Sequence, residues 1–242
     1  MGRYIILSSI LCLGLGMGCG NAASSTGQSV LVTVSDVPPP AVYLQERTVL
    51  SNGPPLFLES STELPFDLRT TPPSQPGIFT FVLSPQPWPK IAAFLAVVVA
   101  VAAFDASGCL VGVGTGSFAP GLVPFPVDVS TLTLNVPLRQ FAQPDCTGNR
   151  TLVLHEVTKG PADLCFGRCA AGSAGSCLCV SGWGFHPKSQ LMWNGQKLDP
   201  LLNSQWASPV SMIISGVPLP YSGPLRVTNP DGETAELAHV SF

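Results

Sequence analysis

The sequence predicts an all-β protein with two β-sandwich domains in tandem, preceded by a signal and anchoring segment. Short apolar segments that alternate with polar residues, such as 30–35 and 129–136, are typical of half-buried strands. Asn194-Gly195 and Asp231-Gly232 tolerate positive φ, as hairpin turns require. We therefore expect the domains at residues 29–158 and 159–242, after a signal peptide at 1–18 and a tether at 19–28.

The first domain begins with a strand in which Val30, Val32 and Val34 share one face. Residues 129–136 repeat this alternation, with Leu132, Leu134 and Val136 on one side. Between these strands, residues 51–77 are crowded with proline and polar side chains, which favours loop and sheet edge over core strand.

The most apolar run of this domain, residues 91–104, is shorter than the roughly 20 residues that a membrane-spanning helix needs. Its alternation predicts a strand with one bulky face and one alanine face, and a buried helix is the alternative. Residues 105–108 then predict a turn into a second strand at 109–113, forming a central hairpin. The bulky face comprises Leu95, Val97, Val99 and Val101, and the opposite face Ala96, Ala100 and Ala102.

The last third of the chain carries short strand segments separated by tight turns: Val180-Ser181-Gly182-Trp183-Gly184-Phe185, then Trp193-Asn194-Gly195, then Val227-Thr228-Asn229-Pro230-Asp231-Gly232. This order resembles the IPT/TIG family of immunoglobulin-like domains. The resemblance implies an immunoglobulin-like sandwich at the C-terminus that acts as a binding or spacer module, and it names no ligand. The N-terminal domain has the strand pattern of the same architecture without a specific motif.

The N-terminus has the pattern of an export signal. Arg3 precedes a short apolar stretch that ends in Gly16-Met17-Gly18-Cys19, followed by a small polar tract. The pattern resembles a bacterial lipoprotein signal, which implies that Cys19 is acylated and anchors the protein to a membrane, at the outer membrane or cell surface. An ordinary cleaved signal is the alternative, because a lipobox usually has Leu where Gly16 stands.

The cysteine content agrees with export. Six cysteines follow Cys19, an even number that suits an oxidising compartment: Cys109, Cys146, Cys165, Cys169, Cys177 and Cys179. We expect Cys109 to pair with Cys146, and Cys177 and Cys179 to bridge to Cys165 and Cys169, because a bridge between Cys177 and Cys179 would be strained. A four-cysteine zinc site is the alternative.

Composition limits the partners. Charged residues make up 10% of the 242 residues and hydrophobic residues 45%, which predicts a folded chain. The net charge of −3 and the absence of a basic cluster argue against nucleic-acid binding.

The sequence contains no recognised catalytic, nucleotide-binding or metalloprotease motif, so we predict a non-enzymatic protein without a cofactor or a metal. Asn229, Asp231 and Glu233 carry side-chain oxygens that could bind calcium. Pro230 and Gly232 favour a hairpin turn whose polar side chains cap their own backbone instead.

Aromatic residues of the C-terminal domain are the remaining lead to a binding surface. We expect Trp193, Trp206 and Tyr221 to offer faces on which a sugar or a protein could stack. The sequence thus predicts a lipid-anchored binding or adhesion module that recognises a polysaccharide or an envelope protein. A structural spacer in an envelope assembly is the alternative.

Overall fold

A computed structural model describes nine segments of the chain, at residues 29–51, 57–73, 75–83, 96–118, 131–147, 151–159, 177–199, 204–216 and 222–241. Within these segments the protein is all-β, as predicted, and no helix is long and apolar enough to cross a membrane. The predicted signal and tether, with Cys19, and the cysteines Cys165 and Cys169 lie outside the described residues.

The strands of the N-terminal half are β1 (Ser29–Ser35), β2 (Tyr43–Ser51), β3 (Phe57–Asp67), β4 (Phe79–Leu83), β5 (Ala96–Phe104), β6 (Leu110–Phe118), β7 (Thr131–Pro137) and β8 (Arg139–Asp145). Those of the C-terminal half are β9 (Val153–Lys159), β10 (Leu178–Trp183), β11 (Gln190–Trp193), β12 (Gln196–Lys197), β13 (Ser204–Ser208), β14 (Ser211–Ile214), β15 (Ser222–Thr228) and β16 (Thr234–Ser241).

The N-terminal strands form two sheets, which we call the N-terminal sheet pair. One has the order β4-β1-β7, in which β1 pairs antiparallel with β4 and parallel with β7. The other has the order β3-β2-β5-β6-β8. Valines of β1 and the alternating valines of β5 meet in one buried cluster between the sheets. The alternation that predicted strands at β1 and β7 therefore also identified their core-facing sides.

Strand β5 is buried on both faces. Val97, Val99 and Val101 pack into the core of the N-terminal sheet pair. Ala100 and Ala102 point the other way and pack against Val153, Trp183 and Val210 of the C-terminal half. A strand buried on both faces needs apolar residues at every position, which explains why this run is almost continuously hydrophobic. The predicted strand is confirmed, and the small alanines allow the two halves to approach closely.

The predicted turn between β5 and β6 is confirmed. The backbone N–H of Asp105 donates to the carbonyl of Cys109 at 3.0 Å, and that of Gly108 donates to the carbonyl of Asp105 at 3.0 Å. The carboxylate of Asp105 accepts the N–H groups of Ser107 and Cys109. This side chain thus satisfies the backbone of its own turn, as aspartate commonly does.

The glycines of β6 allow β7 to cross closely above the sheet. A Cβ at Gly114 would lie 2.2 Å from the carbonyl oxygen of Pro137, and one at Gly116 would lie 2.9 Å from that of Asn135. The alternating glycines are therefore a packing requirement of this strand. Within its own sheet, β6 lies between β5 and β8.

The expectation for residues 51–77 was wrong in part. Phe57–Asp67 forms the eleven-residue strand β3, which pairs with β2 over most of its length. The strand lies at the edge of its sheet, as its proline content predicted. Pro65 is tolerated inside β3 because an edge strand has one row of backbone groups that needs no partner in the sheet.

The C-terminal strands also form two sheets, which we call the C-terminal sheet pair. Their orders are β13-β14-β10-β9 and β12-β11-β15-β16. Strand β9 pairs antiparallel with β10, for example through Val157 and Val180. By sheet pairing β9 thus belongs to the C-terminal strands, whereas a boundary at 158/159 would assign nearly all of it to the first domain.

Candidate functional site

A cleft of about 380 Å³ opens where the two sheet pairs meet, and we call it the junction cleft. Ligand sites commonly lie at such junctions, because each side can contribute groups to one concave surface. Strand β2 supplies two of its residues, and three segments of the C-terminal half supply the others. The lining residues are Arg47, Val49, Thr151, Phe185, His186, Pro187, Asn229, Pro230, Asp231 and Glu233.

Asn229 anchors the turn between β15 and β16 to the segment after β10. Its side chain is 7% exposed. Its Nδ2 donates to the carbonyl of Gly184 at 2.9 Å, and its Oδ1 accepts the hydroxyl of Ser189. A buried amide with both ends bonded to different segments holds them in a fixed relation. Asn229 therefore positions the turn that carries the acids of the cleft.

The two acids of the turn are each held by one hydrogen bond. Oδ1 of Asp231 accepts the backbone N–H of Glu233 at 3.0 Å. Oε1 of Glu233 accepts the Thr151 hydroxyl at 2.6 Å. Neither Asp231 Oδ2 nor Glu233 Oε2 has a hydrogen-bond partner among the described residues. The cleft thus has two oriented carboxylates, each with one oxygen left to accept a bond from a ligand.

The predicted hairpin is confirmed at this turn. The backbone N–H of Asn229 donates to the carbonyl of Glu233, and that of Gly232 donates to the carbonyl of Asn229. Asp231 caps the same backbone through its side chain. Among the described residues no three His, Cys, Asp or Glu side chains are grouped to hold a metal ion. The hydrogen bonds of this turn are those of the predicted hairpin.

His186 also lines the cleft, in the segment after β10. Its Nδ1 accepts the backbone N–H of Lys188 at 3.1 Å, and its own N–H donates to the hydroxyl of Ser189 at 2.8 Å. An Nδ1 that accepts a bond leaves the proton of the neutral ring on Nε2. His186 thus lines the cleft with its Nδ1 already used as an acceptor.

Gly184 allows Thr151 to come close to the cleft. It has a φ of +82°, and a Cβ here would lie 1.7 Å from the carbonyl oxygen of Thr151. Any side chain would displace the segment that carries Thr151. This close approach is the physical reason for the second glycine of the Gly182-Trp183-Gly184 motif.

Arg47 brings a cation from the N-terminal sheet pair. Its guanidinium lies 5.7 Å from the centre of the Trp183 ring. Trp183 itself is fully buried and packs against Ala100 and Ala102. A guanidinium over an indole face gains electrostatic attraction. The packing of the junction therefore also sets the position of Arg47.

The prediction that Trp193 and Trp206 offer exposed aromatic faces was wrong. Trp193 is 0% exposed and Trp206 is 4% exposed, and both lie in the core of the C-terminal sheet pair. The Trp206 indole N–H donates to the carbonyl of Phe185 at 3.0 Å. An indole with its polar group satisfied gains more from burial than from exposure. Tyr221 lies outside the described residues.

The predicted Cys109–Cys146 disulfide is present, with a Cα–Cα distance of 4.4 Å. It joins the start of β6 to the residue after β8. Cys177 and Cys179 are also disulfide-bonded. Disulfide-bonded sulfurs are not thiolates, so these two residues do not favour the zinc alternative.

An acid–imidazole pair lies beside this disulfide. Asp145 Oδ2 is 3.0 Å from His155 Nδ1, and the His155 ring stacks on Phe141 with centroids 3.6 Å apart. Burial by itself raises the pKa of Asp145, but the hydrogen bonds from His155 and Thr147 outweigh it and lower that pKa below 3.8. The pair connects β8 to β9 and contributes to the junction between the halves.

The sequence drew attention to the Asn229–Glu233 turn, as a hairpin, but it did not connect this turn with Arg47, Thr151, His186 or Ser189. No local motif could make that connection, because these residues are scattered along the chain and meet only through strand pairing. The one sequence feature that could have indicated these residues is that their side chains can form hydrogen bonds.

No family model matches the chain, and no curated protein matches it. Solved structures match it, among them a DUF4876 family protein from Bacteroides thetaiotaomicron, which is 12% identical with a TM-score of 0.28. The match covers 87% of this chain and 46% of that protein, so the chain spans about half its length. At this TM-score the similarity supports no conclusion about fold or function.

Proposed function

We propose that the protein is an exported, lipid-anchored, non-enzymatic binding module that recognises a polysaccharide at the junction cleft. The observation that carries the proposal is the pair of oriented carboxylates at Asp231 and Glu233, each with one oxygen that has no partner among the described residues. Carboxylate oxygens accept hydrogen bonds from hydroxyl groups, and a sugar ring presents several hydroxyls in a fixed geometry.

The rest of the cleft lining supports a sugar rather than a highly charged ligand. Arg47 carries +1 and the two acids carry −1 each, so the lining has a net charge of −1, which is too small to favour a polyanion or a polycation. Pro187 and Pro230 add apolar surface that can contact the C–H groups of a sugar ring. A volume of about 380 Å³ lies at the lower end of the range for small-ligand sites. One or two sugar units would fit such a space.

A glycan array followed by calorimetry tests the proposal. The double variant Asp231→Asn and Glu233→Gln keeps an oxygen acceptor at each position, so the bonds to the Glu233 N–H and Thr151 are preserved while both charges are removed. We expect it to lose binding by about tenfold or more, because hydrogen bonds to charged acceptors are the stronger ones. Glu236→Gln on β16 is the matched control and should bind like the wild type. The absence of a saturable glycan signal in the wild type would refute the proposal.

The anchor is tested separately. Cys19→Ser removes the proposed acylation site, so the protein should move from the membrane fraction to the soluble fraction. Unchanged fractionation would refute lipidation, and release of the wild type would favour an ordinary cleaved signal.

We also propose that both sheet pairs are immunoglobulin-like sandwiches and that the second is IPT/TIG-like. The hairpin at Asn194-Gly195, where both residues have positive φ, supports this proposal. A fragment that begins at residue 151 and includes β9 should then fold alone with a cooperative transition and all-β circular dichroism. A fragment that unfolds gradually would count against a complete second domain.

A structural spacer is the second candidate. The buried cluster that joins Ala100, Ala102 and Phe141 to Val153 and Trp183 supports it, because apolar packing between the halves resists bending. Co-purification with envelope proteins, in a protein that binds no glycan, is the result expected from a spacer.

A further inference from the structure

A second, smaller pocket lies in the N-terminal sheet pair, away from the residues of the junction cleft. Its volume is about 270 Å³, and its lining includes Val37, Pro38, Pro39, Val42, Leu68 and Arg69. These residues belong to the loop between β1 and β2 and to the segment that follows β3. The walls are apolar, and one guanidinium stands at the rim.

Arg69 is held in a defined orientation. Its Nε and Nη2 donate to the two carboxylate oxygens of Asp67, at 2.9 and 2.7 Å. Nη2 also donates to the hydroxyl of Tyr43, and the guanidinium lies 4.8 Å from the centre of the Tyr43 ring. A bidentate pair with an aromatic contact fixes the plane of the guanidinium. The two N–H groups of Nη1 have no partner among the described residues, and the side chain is 57% exposed.

The walls leave few backbone donors for a ligand. Pro38, Pro39 and Pro73 have no N–H group. The N–H groups of Val37, Ala41, Val42 and Leu68 donate to carbonyls of Gly77, Pro38, Phe104 and Val42, respectively. An extended peptide normally gains affinity from main-chain hydrogen bonds, and this wall gives it little to pair with. Among the described residues of the lining, Arg69 is the only charged one, so we expect the polar anchor of a ligand to be an acceptor that meets it.

From these contacts we propose that this pocket binds a small apolar monocarboxylic acid, with its tail against the proline and valine wall and its carboxylate on Nη1 of Arg69. Because Nη2 already donates to Asp67 and Tyr43, a ligand carboxylate meets Arg69 through an N–H group of Nη1, in one charge-assisted hydrogen bond. The small volume and the neighbouring Asp67 limit the affinity, and we expect a dissociation constant on the order of 1 mM.

Amide chemical-shift titration of the ¹⁵N-labelled protein tests the proposal with 4-methylpentanoic acid and its amide. The acid should shift the signals of Val42, Leu68 and Gly77 in a saturable way, and the amide should bind about fivefold more weakly. Equal binding of the two compounds, or an absence of shifts around the pocket, would overturn the proposal. This comparison uses only the wild-type protein, so it does not depend on how any variant folds.

Arg69→Gln should abolish the preference for the acid over the amide, while the backbone N–H of residue 69 can still donate to Asp67. Arg226→Gln is the matched control, because Arg226 is 53% exposed and is also ion-paired, with its Nε and Nη2 on Oε2 of Glu236. An equal effect of both substitutions would show that general charge, not this pocket, governs binding. The last ligand to titrate is a tripeptide that ends in leucine. If this peptide binds more tightly than 4-methylpentanoic acid, the proposal of a small free acid as the ligand is overturned.

Discussion

The hydroxyl of Thr151 donates a 2.6 Å hydrogen bond to Oε1 of Glu233, across 82 residues of sequence. Thr151 immediately precedes the strand pair β9–β10, whereas Glu233 lies in the turn between β15 and β16. This bond therefore connects the two sheets of the C-terminal sheet pair at the mouth of the junction cleft. Glu233 therefore also stabilises the fold, in addition to the ligand contact that we propose.

Thr151→Val should lower the free energy of unfolding by about 1 kcal/mol, because it removes a hydrogen bond to a charged acceptor at a largely exposed position. Urea denaturation measures the change. Thr133→Val on the exposed face of β7 is the control and should have little effect. If calcium raised the melting temperature of the wild type but not that of Glu233→Ala, the turn would be a metal site instead.

Gly184→Ala should destabilise the protein by more than about 3 kcal/mol or prevent folding, because the new Cβ meets the Thr151 carbonyl and the backbone φ is positive. Gly232→Ala should cost only about 1 kcal/mol. Gly232 has a φ of +92°, but nothing lies within 4 Å of its Cβ position. Thermal and urea unfolding of the two variants separate the cost of the steric clash from the cost of a positive φ. Equal losses of unfolding free energy in both variants would contradict the close approach at Gly184.

Replacement of both Cys109 and Cys146 by serine should lower the free energy of unfolding by about 4 kcal/mol. The chain-entropy argument for a loop with a sequence separation of 37 gives this magnitude. Denaturation of the oxidised wild type and the double variant provides the measurement. A difference close to zero would show that the unfolded chain is not constrained by this bridge.

Asp145 should make folding sensitive to acid. Its pKa is lowered in the folded protein, so its contribution is present at neutral pH and is lost as the pH falls through 3.8 towards the folded value. In Asp145→Asn, the free energy of unfolding should decrease less than in the wild type between neutral pH and about pH 3. Thr147→Val removes one of the three hydrogen bonds that lower this pKa, and it should give an intermediate curve. Parallel curves for the wild type and Asp145→Asn would rule out this residue as the source.

Ala102→Leu should destabilise the protein by about 1–3 kcal/mol, because extra methylenes on the alanine face of β5 would collide with the C-terminal half. Val82→Leu is the control, since Val82 is among the exposed apolar residues. If Ala102→Leu were neutral, the two halves would not be packed as closely as the buried cluster at the junction implies.

Local pattern was sufficient to predict much of the fold. Alternation located β1, β5 and β7, and the aspartate-led turn between β5 and β6 was evident because one side chain satisfies its own neighbours. The Cys109–Cys146 pair was predicted from the even number of cysteines and the short spacing of Cys177 and Cys179, which assigned those two to Cys165 and Cys169. Such features depend on residues near each other in sequence or on composition, and both are visible without coordinates.

The orientation of the tryptophans and the extent of β3 were not predicted correctly. Trp193 and Trp206 have polar indole groups, and sequence alone does not tell whether a buried partner such as the Phe185 carbonyl is available. Strand β3 contains Pro65, and proline is compatible with an edge strand but not with a central strand. Whether a strand lies at the edge of a sheet depends on where the other strands pair.

By itself, the sequence determined the all-β class and the main strands and turns of the first half. Only the tertiary structure decided that the alanine face of β5 packs on Trp183, and that Arg47, Thr151, His186 and Glu233 line one cleft. The physical reason is that strand alternation specifies which residues share a face. Which surface covers that face depends on contacts between strands far apart in the chain.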